Sequence, residues 1–357
     1  MKALIYAAQT IDKSFRFSNK IRILLIKLFA IDRSRNIYCG FHQQHLIEQY
    51  LLEINIAQEA DIIESAPLSM KGYKNKTSVQ SKYLYTLKNC TVSCFNGLAR
   101  LPNDKYITES IIARKSAEGF VDLPLPTIRL PLECYVANEN NFYHFFTEDI
   151  VNIHHLRSMG KEPTVILPNG KQWQVDTLKL LYPEFKVKLT SKFTKIRPLI
   201  AYTLTKNTFD SYISNESIKI LRSLLCDPKK LTIKEKQLNK IYISRKKAPS
   251  RNPINELEFE SILQKLGYSI ITLEDLSIEQ QIITFANAER IVGCHGAGLT
   301  LIVTCRKKTQ ILELFPDDHI NYCYASISQR ISLNYQYIIY KDNKLPTDLN
   351  FLKMLTH

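Results

Sequence analysis

The stretch that decides the fold of this chain is Ile291-Val-Gly-Cys-His-Gly-Ala-Gly-Leu299. It has the pattern of a short apolar strand, a glycine-rich turn and the start of a helix. Three of the chain's ten glycines lie within six of these residues. Where a strand of a parallel sheet ends in such a turn, backbone amides can approach a phosphate at the positive end of the next helix. The stretch predicts a phosphate-binding turn at 295–298, and a tight turn without a ligand is the alternative.

Short strands and helices alternate regularly around this turn, from Ile241 to Tyr340. Runs rich in β-branched residues predict strands at 241–244, 268–273, 290–293 and 310–315. The helices predicted between them run from Asn252-Pro253 to Leu266, from the capping box Ser277-Ile-Glu-Gln280 to Ala286, and over 299–305. This alternation predicts a parallel, doubly wound sheet.

The first half of the chain repeats the α/β pattern less regularly. The predicted elements there are helices at 43–60, 141–159 and 175–181, strands at 61–64 and 164–167, and a β-rich portion at 84–108. We therefore expect two domains, an N-terminal α/β domain over 1–225 and a C-terminal Rossmann-like domain over 241–357. The basic, glycine-free stretch 226–240 is the predicted linker between them.

The net charge of +14 is concentrated in two segments, with +6 in residues 1–40 and +8 in residues 229–251. A nucleic acid, an anionic membrane or a phosphorylated ligand could supply the negative partner. No nucleic-acid-binding motif appears, so we expect no nucleic acid among the partners. The apolar run 21–31 is too short to span a bilayer and is interrupted by Arg22 and Lys27. It predicts either peripheral contact with an anionic membrane or an ordinary core helix.

The eight cysteines are scattered, without a Cys-x-x-Cys pair or the spacing of a zinc site. Such cysteines are typical of free thiols in a reducing compartment. The N-terminal residues also lack the pattern of a secretion signal. We expect a cytoplasmic protein, placed peripherally at the inner face of the membrane if the 21–31 segment binds lipid.

Three cationic side chains near the turn favour an anionic ligand over an empty turn. His295 lies in the turn, Arg245 follows a predicted strand and Arg251 opens the next helix. The carboxyl ends of parallel strands share one edge of a sheet, so these groups can converge on a phosphate. Glu313 is a carboxylate in an otherwise apolar strand, where burial is costly without a partner. We expect it bonded to ligand hydroxyls or an internal donor, with a structural pair to an arginine or a helix terminus as the alternative.

The order and spacing of these residues resemble the C-terminal half of glycosyltransferase family 61. The matching positions are Ile243-Ser-Arg245, Arg251, Asn255-Glu256, Gly267, Glu274, Glu279-Gln280, Ala288, Val292-Gly-x-His-Gly-Ala-Gly-Leu-Thr300 and Glu313. The chain departs from the pattern at Leu301, because many members resemble Leu-Thr-Asn there. A thinner resemblance extends to Asn141-Phe-Tyr-His144 and to the acidic residues Glu148 and Asp149.

The resemblance implies a GT-B-like fold, with two Rossmann-like domains facing across a cleft. It also implies an inverting transfer from a nucleotide-sugar, expected to be a UDP-sugar, to a glycan or lipid-linked glycan in surface polysaccharide or lipopolysaccharide synthesis. The acceptor would lie mainly in residues 1–225 and the donor in residues 241–357. The expected donor-binding residues are Arg245, Arg251, His295, Gly296, Ala297, Gly298 and Glu313.

Inversion in one displacement requires a base on the acceptor side. His144 and Glu148 would share one face of an α-helix, so one of them is the expected base, with Asp149 in reserve. An ordinary helix cap with aromatic packing is the alternative. The chain contains no Asp-x-Asp pair, so we expect no metal and no other cofactor. A nucleotide-binding protein without catalysis is the alternative function, and a nucleic-acid-binding protein is a more distant one.

Overall fold

The computed structural model describes residues 84–102, 122–204, 213–227 and 238–348 with their side chains. It also describes the backbone of short strand segments and the single residues Lys229, Leu231, Phe351 and Leu355. The chain forms two compact units, both of mixed α/β structure. Among the described residues, unit 1 takes in Gln80–Asn140 and Asn152–Lys206 with the strands before residue 56. Unit 2 takes in Asn141–Val151 and Asn207–His357.

Unit 1 is built on a mixed ten-stranded sheet. Its strands are β1 (Ile37–Tyr38), β2 (Glu48–Ile56), β3 (Gln80–Lys88), β4 (Thr91–Ser93), β5 (Ala99–Arg100), β6 (Tyr106–Ile107), β7 (Thr127–Val136), β8 (Thr164–Pro168), β9 (Val187–Thr190) and β10 (Lys195–Leu204). The order is β1-β6-β5-β4-β10-β7-β8-β9, with β3 paired to β10 and β2 to β3. From β10 to β9 the neighbours run parallel, whereas β3 and β4 run antiparallel to β10.

One continuous helical segment follows β7. It consists of α1 (Phe142–His144), a π-helical segment (Phe145–Ile150) and α2 (Val151–Ser158). The helix α3 (Gln172–Leu181) then connects β8 to β9. The predicted helices at 141–159 and 175–181 and the strand at 164–167 are thus confirmed.

Unit 2 contains a five-stranded, fully parallel sheet. Its strands are β13 (Lys240–Ile243), β14 (Ser269–Ile271), β15 (Arg290–Cys294), β16 (Gln310–Pro316) and β17 (Asn334–Tyr340), and a separate hairpin is formed by β11 (Thr208–Phe209) and β12 (Tyr212–Ile213). The helices are α4 (Asn215–Leu225), α5 (Glu256–Lys265), α6 (Ile278–Asn287) and α7 (Cys323–Arg330), with 3-10 helices at Leu273–Asp275 and Ala297–Thr304. Both β15 and β16 are almost completely buried, as expected of parallel strands covered on both faces.

The strand order of this sheet is β14-β13-β15-β16-β17. The chain runs outward from β13 to β14, then crosses to β15 on the other side of β13 and continues in the opposite direction. The order therefore reverses between β13 and β15. In doubly wound sheets this reversal opens a crevice at the carboxyl ends of the two strands, which is where ligands bind.

Local sequence signals explain most of unit 2. The capping box of α6 is confirmed, since Gln280 N donates to Ser277 Oγ at 3.2 Å and Ser277 N donates to Gln280 Oε1 at 2.9 Å. The helix α5 begins after Asn255, so the expected start at Asn252-Pro253 is wrong by about one turn. The segment expected to be an α-helix over 299–305 is a 3-10 helix that begins at Ala297.

The helix predicted at 43–60 is wrong over β2, which pairs with β3 as a strand. From Tyr50 to Ile56 every second residue is apolar, so one face of the segment is apolar throughout. This two-residue period is that of a strand. The strand predicted at 61–64 lies outside the described residues. So does most of the predicted linker at 226–240.

The compact units divide the chain differently from the predicted domains. The predicted boundary at 225 falls inside unit 2, which also takes in Asn141–Val151 and α4. Local sequence patterns do not show this, because a segment is assigned to a unit by its packing. The functions assigned to the two domains stay predictions.

Across the part of the chain that the structure describes, no helix combines the length and apolar character needed to cross a bilayer. The +6 segment at 1–40, where we predict membrane contact, lies outside the described residues except for the backbone of β1.

Candidate active site

The glycine-rich turn 295–298 leaves the carboxyl end of β15, beside the reversal of strand order. His295 N donates to Leu314 O at 2.8 Å, which extends the sheet by one residue. Tyr324 Oη donates to Gly296 O at 2.7 Å, and Leu299 N donates to the same carbonyl at 3.0 Å. The turn is therefore held from the sheet, from α7 and from the 3-10 helix that follows it.

The glycines of this turn make room for side chains of the protein itself. A Cβ atom on Gly296 would overlap the guanidinium of Arg245, and one on Gly298 would lie 2.5 Å from Leu273 Cδ1. The sequence predicts that these glycines allow the close approach of a ligand. The structure gives them a packing role, and through Gly296 it brings Arg245 against the turn.

Arg245 ties the loop after β13 to the turn after β15. Its Nη1 donates to His295 O at 3.3 Å, its Nη2 to Ser250 O at 2.6 Å and its Nε to Arg251 O at 3.1 Å. Its backbone N–H donates to Glu256 Oε1 at 2.6 Å. Three of the five N–H groups of this guanidinium are thus committed to backbone carbonyls. Arg245 acts first as a positioning residue, and its direct contact with a ligand stays a prediction.

Replacing Arg245 with alanine should lower the free energy of unfolding by about 1–3 kcal/mol, because three carbonyls lose a charged donor. Urea unfolding followed by circular dichroism measures this change. Arg306→Ala is the matched control, since Arg306 is exposed and donates to the Asn287 side chain at 3.2 Å. Equal unfolding midpoints for the two variants would contradict the positioning role.

Glu256 supports the same loop from the first turn of α5. It is buried and accepts from Tyr242 Oη at 3.0 Å as well as from the backbone of Arg245. Burial raises the pKa of this carboxyl, and the two hydrogen bonds act against that rise. The sequence analysis quoted Glu256 within the family resemblance but gave it no role.

Arg251 is a cation near the turn with a side-chain nitrogen available to a ligand. Its backbone has a φ of 57°, in the left-handed region that residues other than glycine seldom adopt. Within the described residues its Nη1 atom is buried and has no hydrogen-bond partner. Burial and the nearby Arg245 lower the pKa of this guanidinium. A strained arginine with an unpaired buried nitrogen is expected where an anionic ligand completes its bonding.

His295 is held by a buried carboxylate. Its Nδ1 lies 2.5 Å from Glu313 Oε1, and Tyr335 Oη donates to Glu313 Oε2 at 2.5 Å. When Glu313 is ionised it accepts from Nδ1–H, and in the imidazolium form of His295 the Nε2–H is a second donor for an anionic partner. Burial raises the pKa of Glu313, while the bonds from His295 and Tyr335 lower it.

Glu313 is expected to bond ligand hydroxyls or an internal donor, and the structure shows two internal partners. Its side chain is fully buried, and its two oxygens are engaged by His295 and Tyr335. The expected internal donors are therefore His295 and Tyr335. Direct contact between Glu313 and the donor stays a prediction.

Aromatic rings enclose His295. Its ring stacks on Phe315 with centroids 5.1 Å apart and lies 5.3 Å from the ring of Tyr324. The ring of His319 is 5.2 Å away on the exposed side. His319 is not among the predicted site residues, although it follows the carboxyl end of β16 just as His295 follows that of β15.

The segment carrying the predicted base belongs to unit 2, like the turn. Asn141 caps it by accepting from His144 N at 3.3 Å. The Tyr143 ring packs edge-on against Tyr324 at 5.9 Å, and Tyr324 in turn bonds the carbonyl of Gly296. The predicted boundary at 225 separates His144 from the turn, whereas the compact units do not.

Burial distinguishes the three candidate bases. Glu148 and Asp149 are each 3% exposed, and His144 is half-buried. All three lie at or within the π-helical segment, not in the regular α-helix that the sequence analysis assumed. Short π-helical segments occur frequently at functional sites.

All ten predicted site residues lie in unit 2. Direct contacts join Arg245 to Arg251 and His295, and join His295 to Glu313. Within the described residues, no three His, Cys, Asp or Glu side chains are grouped as metal ligands would be, and metal independence stays a prediction.

A cavity of about 370 Å³ lies at the opposite edge of the same sheet. Its lining includes Arg290, Gln310 and Asn334, the first residues of β15, β16 and β17. This is the amino edge of the parallel sheet, where doubly wound folds do not place their ligands.

Comparison with known proteins shows which family part of this chain is similar to. Residues 142–312 match the family model described as Glycosyltransferase 61, a span that includes both the His144 segment and the glycine-rich turn. Among solved structures, one that is similar is the bacterial iron-containing dodecameric glycosyltransferase TibC from enterotoxigenic E. coli H10407. The identity is 10% and the TM-score 0.31, over 66% of this chain and 75% of that chain. No curated protein sequence matches the chain. Residues 142–312 are thus similar to glycosyltransferase family 61, and this match supports glycosyltransferase activity for the protein.

Proposed function

We propose that this glycosyltransferase transfers a sugar, with inversion, from a UDP-sugar to a glycan hydroxyl. The observation that carries the proposal is the position of the 295–298 turn and the Arg245–Arg251 loop. The turn follows the carboxyl end of β15, and the loop follows the carboxyl end of β13. The strand order of the sheet reverses between these two strands. The crevice at such a reversal is the usual nucleotide site of a doubly wound sheet.

Donor binding is supported by the charges at this edge. Arg251 has an unpaired buried nitrogen, and His295 keeps Nε2 for a ligand because Glu313 holds Nδ1. The amides of Gly296, Ala297 and Gly298 add neutral donors. Together they would bind the diphosphate of the donor. Arg245 would fix the position of the loop relative to the turn through its hydrogen bonds to both.

The same groups would stabilise the leaving diphosphate during transfer. The acceptor oxygen forms a bond to the anomeric carbon as its proton passes to the base. The bond from that carbon to the phosphate oxygen breaks, and its electron pair leaves with UDP. Donors already aimed at the growing negative charge lower the barrier to this step.

The base in this proposal is His144, with Glu148 and Asp149 supporting it. Of the three, His144 alone is more than marginally exposed, so it is the one able to meet an acceptor hydroxyl without rearrangement. Imidazole also has an ordinary pKa near neutrality, which suits a general base.

The remaining features of the proposal rest on the family resemblance. They are the GT-B arrangement, with the donor in residues 241–357, and a glycan or lipid-linked glycan acceptor. They also include a role in surface polysaccharide or lipopolysaccharide synthesis. The proposed cytoplasmic position rests instead on the scattered cysteines, and the peripheral contact with the membrane on the N-terminal charge. The basic segment 1–40 would supply that contact.

Nucleoside diphosphate release tests the proposed function. A thermal-shift screen of UDP-, GDP- and CMP-sugars would first select the donor, since a ligand at 100 times its Kd stabilises the folded state by about 2.7 kcal/mol. The screen should select a UDP-sugar, and the purified protein should release UDP from it, faster when acceptor glycan is added. Absence of both binding and release across the screen would refute the proposal.

Transfer should persist in excess EDTA, because arginine, histidine and backbone amides take the place of a metal at the diphosphate. The measurement compares UDP release before and after chelation, with added magnesium or manganese as a control. Loss of activity that either metal restores would show that a metal belongs to the site.

A further inference from the structure

We infer that His319 is a third cationic contact to the donor diphosphate, and that diphosphate binding is coupled to proton uptake at this imidazole. The inference rests on the proposed function and deepens it, because it assigns a residue and a pH dependence to the same site.

His319 lies where a diphosphate at the turn would meet it. Its backbone N–H donates to Pro316 O at 3.1 Å, so the loop turns back immediately after β16. Its ring centroid is 5.2 Å from that of His295, with the planes tilted by 50°. The imidazole is exposed, in the loop that follows β16, the strand next to β15. A ligand on Nε2 of His295 would therefore come within reach of His319.

The charges around His319 are unbalanced without a ligand. Arg251 and His295 face it, and Asp318 on its own loop is the acidic neighbour that acts on it. The next acid, Asp317, is exposed on the same loop. Partial burial, and then the two basic neighbours, lower the pKa of His319 below its ordinary value, and Asp318 only partly offsets them. The empty site therefore favours neutral imidazole at physiological pH.

A bound diphosphate reverses this balance. The negative charge of the ligand lies beside His319 and stabilises its imidazolium form. The pKa of His319 is then higher in the complex than in the free protein, so binding takes up a proton between these two values. Below the pKa that His319 has in the free protein, its charge contributes fully to the affinity for the diphosphate. Above the pKa that it has in the complex, this contribution is lost.

Calorimetry of UDP binding tests this coupling. Titrations at pH 7 in buffers of different ionisation enthalpy give the number of protons exchanged. On binding UDP, the His319→Gln variant should take up about half a proton less than the unaltered protein. Comparing the two proteins cancels the protons that UDP itself exchanges, because both bind the same ligand. The affinity of the variant should be about 3- to 10-fold weaker at pH 6, the size expected of an exposed charged contact, and nearly equal at pH 8.5.

Two variants complete the test. His319→Lys keeps the charge, so it should restore affinity while removing this part of the pH dependence. His154→Gln, a half-buried histidine of unit 1, is the matched control and should behave like the unaltered protein.

The outcomes separate the inference from the proposed function. If the unaltered protein binds no nucleoside diphosphate, the proposed function fails. If it binds UDP but His319→Gln changes neither proton uptake nor affinity, this inference is overturned. A fall in kcat at unchanged UDP affinity and proton uptake also overturns it, because His319 would then act on the acceptor.

Discussion

Replacing His144 with glutamine should lower kcat for sugar transfer by about 10²- to 10⁴-fold, the usual contribution of a general base. Glutamine fills a similar volume but cannot take the acceptor proton. The hydrogen bond that caps the segment uses the backbone N–H of His144, so it survives the substitution. The affinity for UDP should change little. Steady-state kinetics with saturating donor, combined with calorimetry of UDP, separates the two effects.

The controls for this prediction lie on the same helical segment. His154→Gln makes the same change at another half-buried histidine and should retain activity. Glu148→Gln should lower kcat less than His144→Gln does if Glu148 acts through His144. If Glu148→Gln abolishes transfer while His144→Gln keeps it, the carboxylate is the base and our assignment is wrong.

Replacing Arg251 with glutamine should weaken UDP binding about 10- to 100-fold, in the range of a hydrogen bond between charged groups. Arg251 is the donor-side cation with an unpaired buried nitrogen in the described residues, and its strained backbone points to a site that a ligand completes. The unfolding midpoint should stay close to that of the unaltered protein, because the Arg251 bond to Arg245 uses its carbonyl. This separates Arg251 from Arg245, whose loss should affect stability first.

Arg251→Lys and Arg306→Gln are the informative comparisons. Lysine keeps the charge but loses the planar fork, so it should recover only part of the affinity. Arg306 is exposed, and in the described residues its guanidinium donates to the Asn287 side chain, so its replacement should leave UDP binding unchanged. Equal affinities for Arg251→Gln and the unaltered protein would remove Arg251 from the site.

The sequence alone could predict the parallel sheet of unit 2. Its strands are β-branched and buried, its helices have local start signals such as Ser277 and Gln280, and the glycine-rich turn marks the end of β15. These signals act over a few residues, so they are visible in a single sequence. The alternation in β2 was equally local, but its apolar content was attributed to a helix.

The contacts that define the site could not be predicted in the same way. The partners of Glu313 are His295 and Tyr335, 18 and 22 residues away, and the space at Gly296 is filled by Arg245, 51 residues earlier. Such pairings depend on strand order, which local periodicity does not determine. The strand-end argument placed Arg245 and His295 at one edge correctly, and applied to β16 it would also have indicated His319.

The central claim is that the donor diphosphate binds at the carboxyl edge of the five-stranded sheet. Hydrogen–deuterium exchange with and without saturating UDP tests it most directly. We expect slower exchange in peptides covering 245–251 and 295–298, and no change in those covering the first residues of β15, β16 and β17, which line the cavity at the amino edge. Protection confined to the amino edge, or absent from both loops despite measured binding, would contradict the account.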